Sequence, residues 1–308
     1  MLSRTAQNLY WMGRYIERAD ATARLIEMGR RMTMLPSANA EWRSVARASG
    51  SAKELADDPK ASDRAIIIRL LLDAENPSSI RCCIAQARAN AKAIRTALTS
   101  DMWEALNDSW RLLETLDADE AVSELPIWLD WAKQRAAAFR GAAETSLLRN
   151  DGFIFLKIGE LLERAEMTLR LLDVKYYVLL PETDVVGGGR DFHQWTSVLR
   201  ATGALRAYHH VNRGDYTPWG IAEFLVLNPM FPRSAAYCFT QIDRRLNELA
   251  QLYDGQRFAC HDIAASMVGR LEACDIQVLF QSGLHEFIGD SIQITNRLSG
   301  EISNAYHF

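Results

Sequence analysis

Four carboxylates at helical spacing carry the first chemical suggestion in this chain. Glu17 and Asp20 stand three residues apart within LYWMGRYIERADATARLIE (9–27), and Glu163 and Glu166 repeat the step within FLKIGELLERAEMTLRLLD (155–173). At about 100° per residue, Gly13, Glu17, Asp20 and Arg24 share a helical stripe roughly 60° wide, as do Gly159, Glu163, Glu166 and Arg170. Glu17 or Glu163 could act as a general base if burial beside apolar residues raised its pKa toward neutrality, with Arg18 or Arg164 orienting an anionic substrate. Paired carboxylates on facing helices also build the di-metal sites of four-helix proteins. Those sites place histidine three residues after the glutamate, whereas this chain places an acid there and has no histidine in residues 1–150. Oxygen ligands alone would favour magnesium or manganese over redox iron. No metal and no cofactor is expected.

A structural reading stands beside the catalytic one. The stripe borders an apolar arc, Leu9, Met12, Ile16, Ala19, Ala23 and Ile26, repeated as Phe155, Ile158, Leu162, Ala165, Leu169 and Leu172, so its charges should be half-buried. Glycine inside a helix costs about 1 kcal/mol relative to alanine, so Gly13 and Gly159, one turn before the glutamates, imply a close approach. If the two segments pack on each other about a pseudo-twofold axis, the glutamates can reach arginines across the interface. Asp20 with Arg24, and Glu166 with Arg170, also have the spacing of intrahelical pairs. On the alternative view, the two stripes form a bipartite polar cleft for a peptide or amino-acid ligand.

A second constellation lies at two predicted helix starts, NPSSIR (76–81) and FPRSAAY (231–237). Arg81, Arg233 and Ser234 there sit near free backbone N–H groups, which can hold a carboxylate or phosphate. Ser78 or Ser79, and Ser234, can equally cap the helices. The six histidines show no nucleophile–histidine signature. The five cysteines lack CxxC spacing, and a zinc site of Cys260, His261 and Cys274 fits no common pattern. PETDVVGGGRD (181–191) lacks the strand and the GK[ST] ending of a phosphate loop and reads as a connector. The tryptophans, Trp11, Trp42, Trp103, Trp110 and Trp195 among them, fall mostly on apolar helical phases and are expected in the core.

The elements that must position these groups are helical throughout. Apolar periodicity and Ala, Leu, Arg and Glu content predict helices over roughly 4–35, 40–49, 61–75, 78–98, 101–117, 126–149, 151–180, 191–212, 218–227, 232–253, 257–275 and 277–306. Gly13, Glu17, Arg18, Ala19, Thr22, Arg24 and Leu25 recur 146 residues later; WRSVARASG (42–50) returns as WTSVLRATG (195–203), and LDAENPSSIRCCIAQ (72–86) as LNPMFPRSAAYCFTQ (227–241). Three blocks in one order indicate an all-α bundle made of two diverged copies, 1–150 and 151–308, packed as one globular unit. With 48% hydrophobic and 24% charged residues the chain is neither disordered nor membranous, and a net charge of −4 argues against nucleic acid. The charged N-terminus resembles no secretory signal, so a cytoplasmic setting is expected.

With those residues quoted, the chain resembles the alpha-E family, alpha-helical domains carrying a Glu-Arg motif. YWMGRYIERADATARL, NPSSIRCCIAQARANAKAIR, MWEALN and the late GLHEF (283–287) carry the likeness, which covers essentially the whole chain. It implies that Gly13, Arg14, Glu17, Arg18, Asp20 and Arg24 are the motif residues. Gly159, Glu163, Arg164, Glu166 and Arg170 echo them, but Glu160 replaces the counterpart of Arg14, so the halves should differ in function. The resemblance further implies partnership with an ATP-grasp ligase and a transglutaminase-like peptidase in a bacterial system that makes or processes a peptide. It implies no established activity for the domain itself. A helical partner or scaffold is therefore the leading expectation, and a hydrolase or transferase using Glu17 or Glu163 its alternative.

Overall fold

The computed structural model describes residues 2–34, 41–177 and 188–308, and among them every regular element is helical. Two long helices form the centre: α1 (Ser3–Met32) and α9 (Asp151–Tyr177). Between them in sequence come α2 (Glu41–Ser49), α3 (Lys53–Asp57), α4 (Asp63–Leu71), α5 (Ile80–Ala93), α6 (Ser100–Thr115), α7 (Ala118–Ser123) and α8 (Leu125–Ser146). After them follow α10 (Gly189–Ala201), α11 (Leu205–Asn212), α12 (Pro218–Leu227), α13 (Ala235–Leu252), α14 (Ala259–Glu272), α15 (Ile276–Ser282) and α16 (Leu284–Tyr306). No helix among the described residues is long and apolar enough to cross a membrane.

The central pair is set by burial. Leu9, Met12, Ala23, Leu25, Ile26 and Met28 of α1, and Ile158, Leu162 and Ala165 of α9, are fully or almost fully buried. An apolar surface so broad cannot be covered by one neighbour. Helices α5 and α8 flank α1, with α6 against both; α13 and α16 flank α9, with α14 against both. Helix α2 packs on both central helices, and so does α10. The helices predicted over 61–75 and 218–227 form as the short helices α4 and α12, although Ile66, Ile67 and Ile68 are β-branched.

The differences from the sequence-based boundaries have local causes. The predicted 191–212 helix breaks at Gly203, whose φ of +69° ends α10 while Ala204 N–H donates to Leu199 O at 2.7 Å. The predicted 277–306 helix breaks at Gly283, with φ +108°. Helices α3 and α7 are too short to leave a periodic signature and were not predicted. The segment 178–187, with most of the expected glycine-rich connector, lies outside the described residues, while Gly188 and Gly189 open α10.

Candidate functional site

The site grows from the contact between α1 and α9. A Cβ at Gly13 would lie 2.2 Å from Leu156 O, and one at Gly159 would lie 2.1 Å from Tyr10 O, so each glycine meets the backbone of the opposing helix. One turn further on, Glu17 and Glu163 therefore cross the interface. Arg164 donates from Nε and Nη2 to the two carboxylate oxygens of Glu17 at 3.0 and 2.9 Å. Reciprocally, Arg18 donates from Nε and Nη2 to Glu163 at 2.6 and 2.8 Å. Both are two-pronged, charge-assisted contacts, the strongest geometry available to these groups.

Further arginines complete each half differently. Glu17 also accepts from Arg233 Nη1 at 2.8 Å and Arg140 Nη1 at 2.9 Å, and Arg233 Nη2 reaches Asp20 at 2.6 Å. Glu163 accepts instead from Arg14 Nε at 2.8 Å, while Arg14 Nη2 reaches Glu166 at 3.1 Å and its Nη1 reaches Ser299 Oγ at 2.8 Å. Glu160, in place of a second Arg14, pairs with Arg164 and with Lys157. The expected intrahelical pairs form as well, Arg24 with Asp20 and Arg170 with Glu166. Arg24 and Arg170 then extend to Ala201 O and Ala48 O, at the carbonyl ends of α10 and α2. The stripe thus ties four surrounding helices, α2, α8, α10 and α16, and the segment leading into α13 to the central pair.

Burial is deeper than the amphipathic pattern implied. Glu17 and Asp20 are wholly buried and Glu163 is 1% exposed. Burial pushes the Glu17 carboxyl up, but Arg164, Arg233 and Arg140 together hold it well below the usual carboxylate range. For Glu163, Arg18 and Arg14 outweigh burial and bring the pKa down to about 2. Asp20 is also lowered, by Arg233 and Arg24 against burial. The expectation that burial would raise these carboxyls toward neutrality is corrected: the guanidiniums reverse its effect. Beside Gly13, between α8 and α9, the remaining space is about 10 Å³, room for at most one water.

A pH dependence of stability follows. Carboxylates whose folded pKa is depressed stabilise the fold fully above their unfolded values, about 4, and lose that contribution as pH falls through the folded ones. The urea midpoint is therefore expected to hold down to about pH 5 and to fall continuously toward pH 2, where Glu163 takes up its proton. A midpoint unchanged between pH 5 and 2 would rule out ionised carboxylates as contributors.

The second constellation divides. Ser79 and Ser234 are caps, accepting from Cys82 N and Tyr237 N at 3.0 Å. Arg233 joins the network, whereas Arg81 donates to Leu113 O and Leu116 O at the end of α6, away from the stripe. Their registers differ: Arg233 precedes its cap, while Arg81 lies two residues past its own. Burial pushes the Cys238 thiol up to about 12, so it is inert beside Arg164. His261 is a core residue with ring nitrogens on Leu246 O and on the Phe258 backbone. Among the described residues no three or more His, Cys, Asp or Glu are grouped to hold a metal ion. Trp42 and Trp195 are core residues as expected, but Trp219 is 54% exposed. Sequence reasoning missed Arg140, Lys157 and Ser299, whose surroundings in α8, α9 and α16 carry no motif.

These features define an all-α protein whose central helix pair is joined by a buried, reciprocal Glu–Arg network. The chain belongs to the Alpha-E family, a predicted alpha-helical domain with a conserved ER motif, whose profile matches residues 1–307. It is similar to uncharacterized proteins of Mycobacterium bovis and of Mycobacterium tuberculosis, each 22% identical over 272 residues, covering 80% of this chain and 30% of the relative. The chain thus spans under a third of the length of these relatives. No solved structure matches it significantly.

Proposed function

We propose that this chain is a non-catalytic helical partner or scaffold in a bacterial, cytoplasmic peptide-ligase system. Its two diverged copies, 1–150 and 151–308, are locked into one unit by the Glu–Arg stripe. One observation carries this reading: Glu17, Asp20 and Glu163 already lie against arginines and are held in their ionised form. The duplication is supported by the reciprocity of Gly13 with Gly159, of Glu17–Arg164 with Glu163–Arg18, and of Arg24–Ala201 with Arg170–Ala48. A partner role is supported by the mycobacterial relatives, in which the matching region is one part of a much longer chain. The ATP-grasp ligase and the transglutaminase-like peptidase are the partners that the family resemblance brings. A charged peptide group would meet the stripe at its outward edge, where Arg18, Arg164 and Arg233 keep 17%, 12% and 16% of their side chains exposed.

The competing hydrolase or transferase reading asks Glu17 or Glu163 to take a proton near neutral pH. A carboxylate held far below that pH is a weak base for the task. Co-expression tests the proposal. A stable complex with an ATP-grasp protein encoded beside this chain is the expected result; turnover of a peptide amide by the isolated chain, lost in Glu17→Gln, would overturn it.

A further inference from the structure

Away from the stripe, the C-terminal end of α9 meets α10, α12, α15 and α16 around a cavity of about 290 Å³. Its body is apolar, built by Leu172, Trp195, Phe280, Leu284 and Ile288. Such a volume sits at the lower end of the range for ligand pockets, about 300–1,000 Å³, and so suits a small molecule.

A His–Asp contact and a Lys–Asp ion pair interrupt the apolar lining. His285 Nδ1 stands 2.6 Å from Asp173 Oδ1, and Lys175 Nζ stands 3.0 Å from Asp191 Oδ1. In each pair the acid is the deeper member. Asp173 is 11% exposed against 29% for His285, and Asp191 is 3% exposed against 12% for Lys175. The bases are thus the more accessible members of both contacts. Lys175 also lies 5.9 Å from the Trp195 ring centroid and donates to Gln194 Oε1 at 2.6 Å. An ammonium has three hydrogens, and Asp191 and Gln194 engage two of them. The break at Gly283 belongs to the same arrangement, since it sets His285 in the first turn of α16, in reach of α9. Burial raises the Asp173 carboxyl despite His285 beside it, which marks this wall as poorly solvated.

We propose that this cavity binds a small monocarboxylate with an apolar body, the carboxylate received by Lys175 and the body packed against Trp195, Phe280 and Ile288. A cationic ligand is disfavoured because each acid in the lining is already engaged by a base, Asp191 by Lys175 and Asp173 by His285. A purely apolar ligand would leave the third hydrogen of the Lys175 ammonium, beyond those given to Asp191 and Gln194, without an acceptor from the ligand. The proposal is independent of the peptide-ligase reading. The carboxylate can belong to a free acid or to the C-terminal residue of a peptide.

Calorimetric titration with 3-phenylpropionate, 3-phenylpropan-1-ol, phenethylamine and the tripeptide Gly-Gly-Phe tests it. Saturable 1:1 binding of phenylpropionate is expected, at least about tenfold tighter than the alcohol or the amine, as a hydrogen bond to a charged group implies. Lys175→Met should reduce the acid to the level of the alcohol, and Lys175→Arg should retain the preference. Binding of the tripeptide as tightly as the free acid identifies a peptide C-terminus as the source; binding of the free acid alone identifies a small metabolite. If Lys175→Met does not fold, Leu284→Trp fills the apolar body while keeping Lys175, Asp191, Asp173 and His285 in the sequence, and it should abolish binding of the acid. Equal affinity for the acid, alcohol and amine, preference for the amine, no binding of any probe, or binding indifferent to these substitutions would overturn the proposal.

Discussion

Glu17→Gln should lower stability by about 3–5 kcal/mol, the range found when one member of a buried ion pair is removed. The substitution keeps the shape of the side chain, removes its charge and turns one accepting oxygen into a donating NH2 that faces guanidinium donors. Arg164, Arg233 and Arg140, all within 3.0 Å of the Glu17 carboxylate, then face one another with Asp20 and Glu160 as the nearest acids. Guanidiniums cannot relieve this by releasing a proton. The exposed pair Arg64–Asp119 provides the contrast, since its side chains are 47% and 86% exposed and its removal should change stability by at most about 1 kcal/mol. Combining Glu17→Gln with Arg164→Met should recover part of the loss, giving a non-additive double-mutant cycle. Urea unfolding reads both effects. A Glu17→Gln midpoint equal to the parent's would mean that the cluster tolerates an unbalanced charge, and the idea of a neutralising centre would fail.

The size of that effect depends on features unequally legible in the sequence. The spacing of Gly13, Glu17, Asp20 and Arg24, and its return after 146 residues, sufficed to place a polar stripe on two helices and to pair glutamates with arginines across them. Helical geometry makes such a pattern readable because side chains four residues apart must share a face. Arg140 was not readable. It stands in AAAFRGAA, where an arginine looks like any solvated residue, and its role appears only when α8 is laid against α1. Arg81 and Arg233 look equivalent in the sequence, yet a three-residue difference in register around the cap turns Arg81 toward α6 and Arg233 toward the stripe. The sign of the carboxylate shifts was also out of reach, because it depends on how many guanidiniums converge on one oxygen pair, a tertiary quantity.

The glycines carry the second large expected effect, and here local and tertiary physics pull in opposite directions. Alanine inside a helix is about 1 kcal/mol better than glycine, so Gly→Ala at an open helical position should stabilise. Gly141, Gly269, Gly289 and Gly300 are such positions, with no atom within 4 Å of the added Cβ. Gly13→Ala and Gly159→Ala should reverse the sign. The new methyl group would meet Leu156 O at 2.2 Å or Tyr10 O at 2.1 Å, and a helix backbone cannot step aside as a flexible side chain can. The helices must separate instead. Overpacking of this kind costs about 1–3 kcal/mol and occasionally more, enough to exceed the gain in helix propensity. Separation would also lengthen the Glu17–Arg164 and Glu163–Arg18 contacts one turn away, so the double variant should lose more than either single change. Thermal unfolding of the two central variants beside Gly141→Ala and Gly300→Ala tests the contrast. Stabilisation at Gly13 or Gly159 matching that at the open positions would show that α1 and α9 are not held in backbone contact, and the reciprocal glutamate–arginine geometry would lose its foundation.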